Sequence, residues 1–263
     1  MKPGLAEIVA RKRADLERQK SAVPLVLLEK RLADALPVRD FAEALRRPRE
    51  VSLIAELKKA SPSAGLIREF YDPVSGAHAY ARAGARALSV LTEANYFLGD
   101  LGHMTEVKKA VELPILRKDF IFDPYQVYEA RVHGADAMLL IAAFLGEKEL
   151  RSLMELVRRL RMTPLVEVHT PEEIDMVLRV GAEVIGVNSR NLKDLSMDPQ
   201  AFEKMVPRIP KDRVIVAESG IKTPKDMERI KSLGAHAVLV GETLLKQPDL
   251  EKAARILVEG CFP

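Results

Sequence analysis

Tryptophan is absent, cysteine occurs once, asparagine occurs three times and glutamine four. No apolar run approaches the ~20 residues that a membrane-spanning helix needs. The lone cysteine, Cys261, excludes an intrachain disulfide and any zinc cluster built from thiolates, and makes a reducing cytoplasm the expected compartment. The chain opens Met-Lys-Pro-Gly and soon reaches Arg11-Lys12-Arg13, without the apolar stretch of a secretory signal. Charge of one sign is also missing. Lys and Arg number 41 against 38 Asp and Glu, a net charge of +3, which argues against nucleic acid or an anionic membrane as partner. No phosphate-cradling G-x-x-x-x-G-K, no G-x-G-x-x-G, no H-E-x-x-H and no Asp/His cluster occurs, so neither a metal nor a cofactor is expected. Few amides beside 30% charged residues is a composition that leans thermophilic.

What is present points to one α/β domain. The chain has 263 residues, 48% of them hydrophobic, enough for a large core. Residues 1–48 read as a helical extension, with Leu5, Ile8, Val9 and Leu16 at helical spacing and Phe41, Ala44 and Leu45 in a second stretch. Residues 49–263 alternate between short apolar runs and charge-rich helical segments. The runs are Val51–Leu57, Ala87–Leu91, Pro114–Leu116, Ala137–Ile141, Pro164–Val168, Val184–Val187, Val214–Ala217 and Ala237–Val240. Asp72-Pro73, Asp123-Pro124, Thr170-Pro171, Asp198-Pro199 and Thr223-Pro224 read as helix starts, a capping residue followed by proline. Gly84-Ala85, Gly134-Ala135, Gly181-Ala182 and Gly234-Ala235 read as helix ends, with glycine just past the last turn. Eight βα units in about 200 residues predict a single (β/α)8 TIM barrel. The rival, an open doubly wound sheet, rarely needs eight equal strands.

In such a barrel the strand C-termini carry the site. Side chains two apart share a strand face, so Glu56 pairs with Lys58 and Asn188 with Arg190, while Lys118, Glu167 and Glu218 each stand one layer above Leu116, Leu165 and Val216. One charge at a strand end is usually a solvated loop residue. Five strands in phase with the barrel interior form a candidate site, in which ammonium groups can act as acids and carboxylates as bases. Glu93 and His169 carry a weaker claim, and His78, His103, His133 and His236 read as surface or packing residues. Ser219-Gly220 and Gly241 stand in the loops after strands seven and eight, where barrels often bind phosphate through backbone N–H groups. The same glycines also suit tight turns.

Several stretches together resemble the indole-3-glycerol-phosphate synthase family. Ile54-Ala55-Glu56-Leu57-Lys58-Lys59-Ala60-Ser61-Pro62-Ser63 is similar to its first-strand motif and Leu116-Arg117-Lys118-Asp119-Phe120-Ile121 to its third. Leu165-Val166-Glu167-Val168-His169 resembles the fifth, and Gly186-Val187-Asn188-Ser189-Arg190-Asn191-Leu192 the sixth. Ala217-Glu218-Ser219-Gly220-Ile221 and Val240-Gly241-Glu242 resemble the seventh and eighth. The resemblance covers essentially the whole chain. It implies a cofactor-free enzyme of tryptophan biosynthesis that closes, decarboxylates and dehydrates 1-(2-carboxyphenylamino)-1-deoxyribulose 5-phosphate. It implies that Lys118 is the general acid, that Glu167 transfers protons, and that Lys58 serves binding and dehydration. Glu56, Asn188, Glu218, Arg190, Ser219 and Ser61 would share the pocket, with Gly220, Gly241 and Glu242 at the phosphate.

Beside that resemblance, Phe97, Phe120 and Leu192 suit an apolar slot for the substrate's aromatic ring, or plain barrel packing. The N-terminal helices suit a cap over the barrel mouth, or a seal on its other end. Glu242 is awkward where an anion should lie, since its carboxylate must turn away. The expected partner is a small phosphorylated molecule, with the chain a monomer or weak homo-oligomer. Three rival functions stay open: a class I aldolase using Lys118 or Lys58 as a Schiff-base amine, a sugar-phosphate isomerase on the same barrel, and a non-catalytic phosphometabolite-binding protein.

Overall fold

The computed structural model describes residues 4–47, 50–192 and 195–260; Cys261 lies outside them. Eight parallel strands close on themselves: β1 (Ser52–Leu57), β2 (Ala87–Leu91), β3 (Ile115–Lys118), β4 (Ala137–Ile141), β5 (Thr163–Val168), β6 (Val184–Asn188), β7 (Val214–Glu218) and β8 (Ala237–Val240). Each strand pairs with its sequence neighbours, and β8 returns to β1 through Ser52 opposite Ala237. The open-sheet alternative is thereby excluded, because a doubly wound sheet leaves two edges. Strands β3, β6 and β7 run one or two residues further than their apolar runs. The polar residues that end them point into the barrel and are buried or half-buried there, so the ladder continues through them.

Helices α4 (Pro73–Arg82), α5 (Leu101–Ala110), α6 (Pro124–Val132), α7 (Glu147–Arg159), α8 (Pro171–Arg179), α10 (Pro224–Leu233) and α12 (Leu250–Glu259) ring the strands, with short α9 (Ala201–Met205) after β6 and α11 (Glu242–Leu245) after β8. Four predicted starts are real caps: the side chains of Asp72, Asp123, Thr170 and Thr223 each accept a first-turn backbone N–H. Asp198-Pro199 is the exception. Asp198 accepts the Gln200 N–H in a turn, and the helix begins only at Ala201. Gly84, Gly134, Gly181 and Gly234 all have left-handed φ, from +76° to +95°, as helix-ending glycines should.

The residues before β1 reach both ends of the barrel. Helix α1 (Leu5–Ala22) lies along the C-terminal rim. Lys12 Nζ donates to Asp119 at 2.8 Å, Lys20 Nζ to Asp123 at 2.6 Å, and Asp15 accepts from Asn95 at 2.6 Å. Helix α2 (Leu25–Arg31) packs its Leu28 against Tyr125 of α6. Helix α3 (Phe41–Leu45) sits at the opposite end. Phe41 and Leu45 are fully buried, in one cluster with the interior residues Ile54, Ala87, Ala137, Val184, Val214 and Ala237. Helix α1 therefore lines the mouth, and α3 plugs the floor.

Candidate active site

The interior positions at the C-terminal ends of the strands converge on one cavity of about 1070 Å³. Lys118, from β3, reaches across the barrel. Its Nζ donates to Glu167 Oε2 of β5 at 3.0 Å and also to Glu218 Oε2 of β7. Lys58, two residues along the same face as Glu56, donates to Glu56 Oε1 at 2.5 Å. Asn188 Oδ1 accepts the Arg190 N–H at 3.0 Å, which bends the chain after β6 and presents the guanidinium to the rim. Ser61, in the short hairpin of Ala60–Ser61 with Gly65–Leu66, is buried and accepts the Ala64 N–H. All of these side chains line the cavity, as do Ser219, Gly220, Gly241 and Glu242.

Burial and charge set the protonation states. Burial pulls the Lys118 pKa down, but Glu167, Glu218 and Glu56 outweigh it and lift it above the ordinary lysine range. The amine is held as an ammonium. Burial raises the Glu167 carboxyl, yet Lys118 and His169 overcome it and leave its pKa below the usual range. Glu218 goes the other way. Burial, seconded by Glu167, pushes its pKa up to about 8 against the pull of Lys118. Two carboxylates sharing one ammonium are thus driven apart, one ionised and one ready to hold a proton.

Two glycines make this crowding possible. A Cβ at Gly241 would lie 2.1 Å from Glu56 Oε1, and one at Gly186 would lie 2.3 Å from Glu218 Oε1. Both are interior positions where a side chain would evict a carboxylate. For Gly241 this adds a second reason to be bare, beside backbone approach to an anion: a side chain there would collide with Glu56. Gly186 drew no separate attention, although a glycine inside a strand marks just such a close approach. Ser219 and Gly220 both have left-handed φ, +67° and +78°, so the turn after β7 is a tight, concave one. Glu242 lines the cavity beside this turn, and its Oε1 accepts from Lys246 Nζ at 2.6 Å.

An apolar wall faces the charges. The rings of Phe97 and Phe120 stand 6.2 Å apart, Phe144 adds to them at 6.4 Å from Phe120, and Leu192 lines the same cavity. Glu93 serves this wall from behind. Its buried carboxylate accepts the backbone N–H groups of Asn95, Tyr96 and Phe97, which fixes the loop carrying Phe97. Three histidines pack: His133 Nδ1 meets Thr105, His236 Nδ1 accepts from Ile215, and His103 stacks edge-on against Tyr71, while His78 is exposed. Among the described residues no group of three His, Cys, Asp or Glu is arranged to hold a metal ion, and no helix is long and apolar enough to cross a membrane.

The fold recurs in solved structures at low identity. A 3-hexulose-6-phosphate synthase from Salmonella typhimurium superposes with a TM-score of 0.62 at 15% identity, covering 80% of this chain and 98% of that one. A thiamine phosphate pyrophosphorylase from Pyrococcus furiosus gives 0.60 at 16%, covering 82% and 98%. At the sequence level, the model of the indole-3-glycerol phosphate synthase family matches residues 5–257. Family members from Campylobacter jejuni and Dehalococcoides mccartyi are 43% and 46% identical to this chain, each alignment covering 97% of it and 99% of the relative. The chain belongs to the indole-3-glycerol phosphate synthase family, carboxy-lyases of tryptophan biosynthesis.

Proposed function

We propose that Lys118 is the general acid of ring closure, held in that state by Glu167 and Glu218. The observation that carries this is the ammonium bridging two carboxylates from different strands at the base of a large cavity. As the aryl carbon attacks the ketone of 1-(2-carboxyphenylamino)-1-deoxyribulose 5-phosphate, negative charge grows on the ketone oxygen. A preorganised ammonium both stabilises that charge and supplies the proton. The new C–C bond leaves the former aryl system cationic until the carboxylate departs as carbon dioxide. Glu56, Glu167 and Glu218 surround that cation. Loss of the hydroxyl as water then needs one acid and one base. Lys58, on the far side from Glu167, suits the acid, and Glu167 the base.

Phe97, Phe120 and Leu192 suit the anthranilate ring, with Ser61 and Asn188 beside the polar substituents. The dianion fits the Ser219–Gly220 turn and the start of α11. Arg190 adds positive charge there, and the Glu242 carboxylate is already engaged by Lys246. Helix α1, whose Leu5 and Ile8 border the cavity, suits a cap that limits water.

The Schiff-base alternative for Lys118 is disfavoured by charge. The neighbouring glutamates, Glu167 foremost, keep it protonated, whereas a nucleophilic amine needs a depressed pKa. Carbon dioxide release with rising indole fluorescence assays the reaction. Lys118→Ala should lower turnover by ~10²-fold or more while the substrate still binds. Near wild-type turnover would remove Lys118 from the role of acid, and borohydride capture of the substrate on Lys118 would favour the aldolase.

A further inference from the structure

His169 follows β5 and shares the inward face of Glu167, but it does not line the cavity. It stands behind the carboxylate. Its Nε2 lies 3.1 Å from Glu167 Oε1, while Lys118 takes the other oxygen of the same group. Its Nδ1 lies 3.7 Å from Glu173 Oε2. That second carboxylate is locked in place by the first turn of α8. The His169 backbone N–H donates to Glu173 Oε2 at 2.6 Å, and the Glu173 N–H donates to the cap residue Thr170. The ring is 9% exposed, and each nitrogen lies within ion-pair distance of a carboxylate oxygen, although the ring's angle gives neither nitrogen a hydrogen bond, so the contact is one of charge. A neutral imidazole carries one N–H and would leave one carboxylate facing a lone pair. Burial works against a charged ring, but Glu167 and Glu173 outweigh it and raise the His169 pKa to about 9.

We propose that His169 is a positioning residue for Glu167: a buried imidazolium, anchored by Glu173, that holds Glu167 Oε1 so that Oε2 stays on Lys118 and aimed into the cavity. The row Glu173–His169–Glu167–Lys118 alternates in charge from the helix start to the reacting end. A positive charge beside one oxygen favours one orientation of the carboxylate, and a favoured orientation keeps proton transfer within reach. This rests on the reading of Glu167 as a proton-transfer group.

The test compares H169A, H169Q, E167Q and the E167Q/H169A double variant in the fluorescence assay. H169A should lower kcat by on the order of 10- to 100-fold, with KM within about twofold, as expected when a reacting group is misaligned rather than a binding contact removed. H169Q, whose amide can still donate one N–H to Glu167, should recover part of that loss. In the E167Q background H169A should cost nothing further, since its effect runs through Glu167. Wild-type kcat in H169A, or full additivity in the double variant, would overturn the proposal. If E167Q itself turned over normally, the reading of Glu167 would fall instead. Should H169A not fold, nitrogen-15 spectra of the wild-type protein at pH 7 decide: two ring N–H signals for His169 are expected, and a neutral ring refutes the idea.

Discussion

Arg117 and Lys118 are neighbours on β3, yet they enter two buried charge clusters of opposite character. Arg117 points outward, under the helices. It donates to Thr92, to the Gln126 carbonyl, to Asp119 and to Glu129, and Asp119 also accepts from Lys12 and Thr92. Every charge there is met. Lys118 points inward, into a set that borders the cavity. Lys118, Glu167 and Glu218 all line it, whereas Arg117 is sealed under the helices. A saturated buried network stabilises a fold, whereas charges bordering a cavity can also meet what enters it. Charge does not separate the two residues; access to the cavity does.

Three measurements press on that contrast. The largest effect should come from Arg117→Met, which strands Asp119 and Glu129 without their guanidinium. Stability should fall by about 3–5 kcal/mol, while kcat per folded molecule stays near wild type. Urea unfolding beside turnover reads both, and a collapse of kcat in folded protein would erase the distinction. Gly241→Ala comes next. Its Cβ must displace Glu56, so turnover should drop by roughly tenfold with a smaller stability loss, in line with a small misplacement in a site.

The smallest effect is in pH dependence, where the two clusters should differ in sign. Glu218 has its folded pKa raised to about 8 by burial and Glu167. Below its unfolded pKa both states hold the proton. Above that only the folded state does, so this group's contribution to stability declines as pH rises towards 8. Glu218→Gln should flatten that slope. Asp119 is the reverse. Burial would raise it, but Lys12 and Arg117 outweigh burial and depress it. Its contribution is present at neutral pH and is lost only as pH falls below the ordinary aspartate range. Unfolding free energies from about pH 2 to 9, compared among wild type, E218Q and D119N, separate the two. Parallel slopes would show that the clusters are alike.

Much of this was readable from the chain because barrel periodicity is strict. Polar residues at Lys118, Glu167 and Glu218, each two positions beyond an apolar one, had to face inward, and the structure brings all three within hydrogen-bonding distance. The helix-start dipeptides were readable wherever the cap residue directly precedes the helix, and failed at Asp198-Pro199, where a turn intervenes. Less visible were features that depend on contacts across strands. Nothing local says that Gly186 must be bare because Glu218 leans over it, or that Arg117 meets a carboxylate twelve residues on and, through Asp119, shares an ion pair with α1. The link from His169 to Glu167 was within reach, since they are two apart on one strand face, but the second anchor at Glu173 requires knowing where α8 begins.

The peptide that precedes β1 touches both ends of the cylinder. Its α3 plug rests on β1 and β2 and shares one buried cluster with interior residues of β4, β6, β7 and β8, Ala237 among them. That cluster joins residues far apart in the sequence, and contacts of such long separation are the kind that slows folding. Sealing of the floor is thus tied to closure of the sheet, because the residues that bury α3 include those of the strand that completes the ring.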